Sequence, residues 1–335
     1  MLAPETLAVK GAPDASLEAR VAEMLELTDR RGYGIPLDEF GRLLLGGPGP
    51  GAYVGAAAMR VPGAAVVDGH VVRADRAPFV ASMIARRDSH RIHEAQARAL
   101  AEDFAGRLVS TCPLVRSVSL TGSMASGGFD PRDDIDLNLV VRDGAKYTVY
   151  LWSLALGAVT SLRNRAKPSD EMGRLPLLPK VICINVVWEE AQVRPFVRQD
   201  KWLAFELLMH RPLLGTGYWE HVLAQNPWLG HHFPQIFDAG FLGGDAPAAV
   251  RMARAPRRGR SFFGYLASHP GALALTEAVA RPLVIALHRA VSLLRRRRPE
   301  ARARESFVNL VKRPYSVYDL PGKEREVPDE ALAAR

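Results

Sequence analysis

The chain has only two cysteines among its 335 residues, Cys112 and Cys183. They are too few and too far apart for a zinc cluster or a disulfide framework, so a reducing cytoplasm is the expected setting. A secretory leader is not expected either, because MLAPETLAVKGAPDA over residues 1–15 has no basic region followed by an apolar stretch. Long uninterrupted hydrophobic runs are also missing. The most apolar late stretch, residues 272–294, is broken by Glu277, Arg281, Pro282, His288 and Arg289, so neither a spanning helix nor a membrane partner is expected. Acidic residues are in deficit, 36 against 44 Lys plus Arg, which leaves a net charge of +8. That surplus attracts phosphate-bearing ligands without committing the surface to nucleic acid.

What is present is enough apolar material for a sizeable core, 48% hydrophobic against 24% charged, and the length suits two or three globular domains. Residues 17–29 set Val21, Met24, Leu25 and Leu27 at helical spacing, and residues 38–45 read as a second helix. A Gly/Pro-rich connection over 47–55 leads to a weaker third helix over 56–60. Residues 64–73, AAVVDGHVVR, place two β-branched runs around Asp68-Gly69, a hairpin signal. Three helices and a hairpin suggest a winged-helix-like module over residues 1–80. Its recognition segment, residues 46–61, has no cation except Arg60, so packing or partner binding is expected there and DNA is not an expected partner. A long helix over 78–110 follows. His90 and His93 lie three apart on it, and without a third ligand they read as surface residues.

The chemistry concentrates in residues 115–142, VRSVSLTGSMASGGFDPRDDIDLNLVVR. A β-prone segment over 118–121 runs into Gly122-Ser123, and an apolar strand over 135–141 begins beside Asp134 and carries Asp136. Side chains alternate along a strand, so the two carboxylates share a face while Ile135 and Leu137 point into the core. Adjacent carboxylates repel, and a hard cation relieves them. Gly122 lets the backbone turn close to a ligand, Ser123 adds a hydroxyl, and amides ahead of a helix can hold an anion.

Thr121-Gly122-Ser123, ten residues, then Asp134-Ile135-Asp136-Leu137 resembles the motif of the DNA polymerase beta-like nucleotidyltransferase superfamily, with threonine at an apolar position. A helix over 147–165 and a buried strand over 180–188 complete the order strand, loop, strand, helix, strand of that core. Ala204, Glu206, Leu207 and the turn Asn226-Pro227-Trp228 resemble, more specifically, an uncharacterised bacterial and archaeal group of nucleotidyltransferase-domain proteins with a winged-helix-like segment before the core. The likeness covers most of residues 17–235.

The resemblance implies an α/β (α+β) fold: a winged-helix-like module over 1–80, a small mixed-sheet nucleotidyltransferase core over 81–195 and a helical region over 196–335. It implies transfer of a nucleoside monophosphate from a nucleoside triphosphate to an acceptor hydroxyl, the acceptor being a small molecule, a protein or RNA. Gly122 and Ser123 would hold the β and γ phosphates, and Asp134 and Asp136 would bind Mg²⁺ or Mn²⁺ and carry catalysis. Asn185 stands at the family's third acid position, where it can offer a metal a neutral carbonyl but cannot act as a base. On strict alternation Cys183, Asn185, Val187 and Glu189 share one face, which makes Glu189, or a group on the acceptor, the expected base. Lys146, Arg163 and Lys180 are cations available to phosphate.

Two further readings stand beside this one: a nucleotide-sensing or interaction protein that has lost turnover, and a DNA-binding regulator acting through the N-terminal module. Late in the chain, residues 240–260 read as a basic linker, and a helix over 272–294, kinked at Pro282, ends in four arginines at 295–298. That run reads as a solvated cap on a helix C-terminus or as a contact for a polyanion.

Overall fold

The computed structural model describes residues 16–29, 34–168, 178–238 and 262–295. The expected linker at 240–260, arginines 296–298 and the first fifteen residues lie outside these.

Helix α1 (Leu17–Asp29), strand β1 (Ile35–Pro36), helices α2 (Leu37–Arg42) and α3 (Gly51–Ala58), and strands β2 (Ala64–Val67) and β3 (His70–Arg73) form the first unit. The strands pair antiparallel in the order β1-β3-β2. Asp68 and Gly69 close the hairpin with φ of 46° and 71°, the left-handed pair that a two-residue turn needs. Helix α3 begins in the stretch that reads as a Gly/Pro connection, five residues before the expected start. The reason is packing: a Cβ at Gly51 would meet Asp38 Oδ1 at 2.3 Å, and one at Gly41 would meet the Gly49 carbonyl oxygen at 2.2 Å. These glycines let α2 and α3 approach each other, and composition alone reads them as loop.

The 32-residue helix α4 (Val80–Thr111) delivers the chain to β4 (Val115–Leu120), the single turn α5 (Gly122–Ala125), β5 (Ile135–Val141), α6 (Lys146–Arg163) and β6 (Ile182–Glu189). Then come α7 (Lys201–Leu208), β7 (Arg211–Leu214), α8 (Thr216–Ala224), α9 (Leu229–His232), α10 (Phe262–Ser268) and α11 (Pro270–Arg295). The second sheet has the order β6-β5-β4-β7 and is mixed: β5 and β6 run parallel across the α6 connection, while β4 is antiparallel to both β5 and β7. The described residues are thus a mixture of helices with two small sheets. Strand β7, Arg-Pro-Leu-Leu, is not expected from sequence because proline cannot donate to a ladder; it is tolerated here on the sheet edge.

The sheet separates two cores. One face presents Leu120, Ile135, Leu137, Leu139, Val141 and Val187 to α4, α6 and the late helices. The other presents Val140, Val186 and Trp188 to α7, α8 and α9, and the same buried cluster continues through Val21, Met24, Phe40 and Leu44. Residues on both sides of positions 80 and 195 therefore share one core. Polar contacts reinforce it: Gln235 donates to the Leu44 carbonyl at 3.0 Å, and buried Asn226 links the Phe196 amide, the Trp228 indole and the Val193 and Val222 carbonyls.

Helix α11 passes through Pro282, and by length and composition Pro270–Ala290, with mean hydropathy 1.4, suffices to cross a membrane. Glu277, an apparent interruption in the sequence, has a structural task instead. Its carboxylate accepts from the Tyr147 and Thr148 amides at 2.7 and 2.9 Å and from the Thr148 hydroxyl at 2.7 Å, which latches α11 onto the positive end of α6.

Candidate functional site

Strand pairing assembles the site at one end of the second sheet. Register sets Asp136 opposite Cys183 and Ile135 opposite Ile182, and the Thr121 amide donates to the Asp136 carbonyl at 3.0 Å. Asp134, Asp136 and Cys183 each have a ligand atom within 4.8 Å of the others. Gly122 follows β4 with φ 61°, and a Cβ there would meet Asp136 Oδ2 at 2.1 Å. Only glycine fits in this cradle, because both the left-handed backbone and the close approach exclude a side chain. Of the expected residues, Gly122, Asp134, Asp136 and Asn185 come together here, with Ser123 next to Gly122 in the turn.

Lys180 joins them. Its Nζ lies 2.5 Å from Asp134 Oδ2. Burial alone would lower its pKa, but the Asp134 carboxylate, by its charge and its hydrogen bond, holds it above the ordinary lysine value. Burial, with both carboxylates adding, pushes the Cys183 thiol up to about 12 against the pull of Lys180, so the thiol keeps its proton at neutral pH. The thiol donates to Asn185 Oδ1 at 3.3 Å, and the Asn185 amide reaches Thr121 Oγ1 at 3.5 Å.

The expected face of β6 does not hold. The ladder shifts between Leu137 and Asn138, which pair with Ile184 and Val186 and leave Asn185 as the extra residue of a β-bulge. The bulge inverts the alternation beyond it, so Val187 and Glu189 fall opposite Leu139 and Val141, on the face away from Asp136. Glu189 is also five residues along β5 from Asp136, roughly 17 Å at the rise of a strand. It caps the short turn after β6, accepting from the Gly144 amide at 2.8 Å, and burial raises its pKa. Glu189 is therefore not a residue of this site, which corrects the catalytic role expected for it. Lys146 is at the same distant end, donating to Gln192 at 3.3 Å.

The loop between α5 and β5 is held from outside. Arg86 donates to the Gly128 carbonyl and Asp133 Oδ2, both at 2.6 Å, and Lys167 donates to the Pro131 and Asp133 carbonyls at 2.8 and 2.6 Å. His90 is buried and accepts from the Phe129 amide through Nδ1 at 3.3 Å, which corrects its reading as a surface residue. Burial first of all, opposed by Glu94, holds its pKa below the usual imidazole value. Sequence reasoning missed Cys183 as a member of the site, because only the parallel register brings it opposite Asp136. It named Lys180 without placing it, for the same reason.

The donor set fits a divalent cation: two carboxylates on one face, with a neutral amide and a thiol beside them. Comparison of the chain with protein-family models, with curated proteins and with solved structures finds no match.

Proposed function

We propose that the chain is a metal-dependent nucleotidyltransferase that moves a nucleoside monophosphate from a nucleoside triphosphate to an acceptor hydroxyl, with release of pyrophosphate. The observation that carries this reading is the glycine cradle: the Gly122 backbone lies directly against the Asp136 carboxylate, with Asp134 on the same side. A phosphate loop and a carboxylate pair in contact suit a triphosphate held by amides on one side and by cation-bearing acids on the other. Asp134 and Asp136 would hold Mg²⁺ or Mn²⁺, which when bound supplies charge neutralisation at the transferring phosphoryl group. Gly122 and Ser123 bind the distal phosphates through backbone N–H groups and the hydroxyl. Asn185 accepts a hydrogen bond but no proton, so the acceptor hydroxyl loses its proton to water or to a group on the acceptor itself.

A second reading, nucleotide binding without turnover, is favoured by one observation. With Glu189 on the far face, the carboxylates gathered with Cys183 among the described residues are Asp134 and Asp136, both assigned here to the metal. The two readings part on one experiment: incubation with each labelled nucleoside triphosphate and Mg²⁺, with and without cell extract. Transfer of label that Asp136→Asn abolishes supports the enzyme. Retention of triphosphate with no transfer under any condition supports the sensor.

For residues 17–73 we propose a winged-helix arrangement used for packing and not for reading DNA. Helix α3, Gly-Ala-Tyr-Val-Gly-Ala-Ala-Ala, has no cation, and Arg60 just beyond it is paired with Glu18.

A further inference from the structure

Asp134 and Lys180 stand at the starts of two paired strands. The Ile135 amide donates to the Val181 carbonyl at 2.9 Å, so the ladder itself fixes the residues just before each as neighbours. Their side chains are 26% and 29% exposed, which covers the pair enough that water screens it less than a surface pair. At 2.5 Å the contact is a charge-assisted hydrogen bond. We propose that Lys180 is a built-in cation of the Asp134–Asp136 pocket, so that the pocket takes one divalent ion per chain and the ammonium stands in place of a second.

The inference rests on the nucleotidyltransferase reading and deepens it. Among the described residues, the pocket gathers two carboxylates and one ammonium, a sum of one negative charge that a single divalent ion turns positive, the sign that holds a polyanion. A second divalent ion must shed water in exchange for anionic oxygens. Among the described residues, the donor left beside these acids is neutral: the Asn185 amide carbonyl, which already accepts a hydrogen bond from the Cys183 thiol. Asp134 is shared with Lys180, and pulling it away would strand a covered ammonium without its counter-charge. The bulge that places Asn185 beside Cys183 and Thr121 thus completes a pocket in which a fixed positive charge, carried by the chain, accompanies one exchangeable ion.

The test is a titration of the full chain with Mn²⁺, followed by the paramagnetic resonance of the free ion, and a separate measurement of nucleoside triphosphate binding. The wild-type chain and Lys180→Arg, which keeps the cation, are expected to bind one Mn²⁺. Lys180→Met, which removes the ammonium from Asp134, and Asn185→Asp, which adds an anionic ligand while leaving Lys180 in place, are each expected to bind a second ion at least about tenfold more tightly than the wild type does. Should Lys180→Met fail to fold, Asn185→Asp decides. Two ions on the wild-type chain, or one ion on every variant, overturn the inference and leave the triphosphate reading standing if that ligand still binds with Mn²⁺. No ion on the wild type but one on Lys180→Met also overturns it, since the lysine then merely plugs the pocket. Neither ion nor triphosphate on any variant overturns both.

Discussion

At the scale of single residues, Gly122 is the most constrained position in the site. Gly122→Ala must place a methyl group where Asp136 Oδ2 lies 2.1 Å away, and must keep a φ of 61° that costs a non-glycine residue roughly 1–2 kcal/mol. The expected outcome is a lowered melting temperature together with loss of metal-dependent triphosphate binding by more than about tenfold, read by calorimetry on one sample. Tight binding by this variant would mean that the cradle does not hold phosphate. His90 gives a second test. Its imidazole is neutral in the fold, so on acidification the unfolded chain takes the proton first, and stability present above about pH 6.5 is lost as the pH falls through the lower folded value. His90→Leu is expected to cost about 1–3 kcal/mol at pH 7.5, where it orphans the Phe129 amide, and to show a smaller further loss at pH 5.5 than the wild type. Equal acid sensitivity of the two proteins would place the titrating group elsewhere.

At the scale of elements, the bulge in β6 decides which acid can act. Glu189→Ala is expected to leave triphosphate binding and any transfer rate within about twofold of wild type while lowering the melting temperature, because it removes a cap and not a catalytic group. A turnover loss without a stability loss would return Glu189 to the site. The bulge also marks where sequence reading stopped. Strand β5 is legible because its apolar run and its two acids state both period and face. Strand β6 is legible as a strand but not in phase, since nothing in Ile-Cys-Ile-Asn-Val-Val-Trp announces that Asn185 is an extra residue; the register with β5 does. Alternation carried past an unseen bulge puts every later side chain on the wrong face. Helix α11 makes the converse point, for Glu277 reads as a break in an apolar run and turns out to cap α6 from 129 residues away. Glu277→Ala is expected to cost about 3 kcal/mol, as a carboxylate accepting from two helix amides and a hydroxyl is removed. Urea denaturation checks this.

At the scale of the whole molecule, the N-terminal unit and the helices after β6 form one core, with Val21, Phe40 and Leu44 in the same cluster as Trp188, Phe205, Trp219 and Phe233. Composition suggests a module ending near residue 80, because a change of local pattern is visible in a sequence and a shared core is not. A fragment of residues 1–80 would expose its half of that cluster to water, so it is expected to unfold without cooperativity, whereas the full chain melts in one transition that includes α1–α3. Fully cooperative melting of the fragment would show that the unit stands alone. The succession β4, β5, α6, β6 and the acid pair are legible because each is written in local periodicity, whereas the edge strand β7 is not. The partners that complete the pocket, Lys180 and Cys183, arrive only when β6 pairs in parallel with β5.

On the proposed function, triphosphate and metal meet between Gly122 and the two aspartates. The most direct measurement is paramagnetic broadening of assigned backbone amide resonances by Mn²⁺ with a non-hydrolysable nucleoside triphosphate. The expected result is broadening centred on Gly122, Ser123, Asp136 and Cys183, sparing Glu189 at the far end of the sheet and absent in Asp136→Asn. Broadening centred on any other part of the chain, or unchanged in Asp136→Asn, would contradict the assignment.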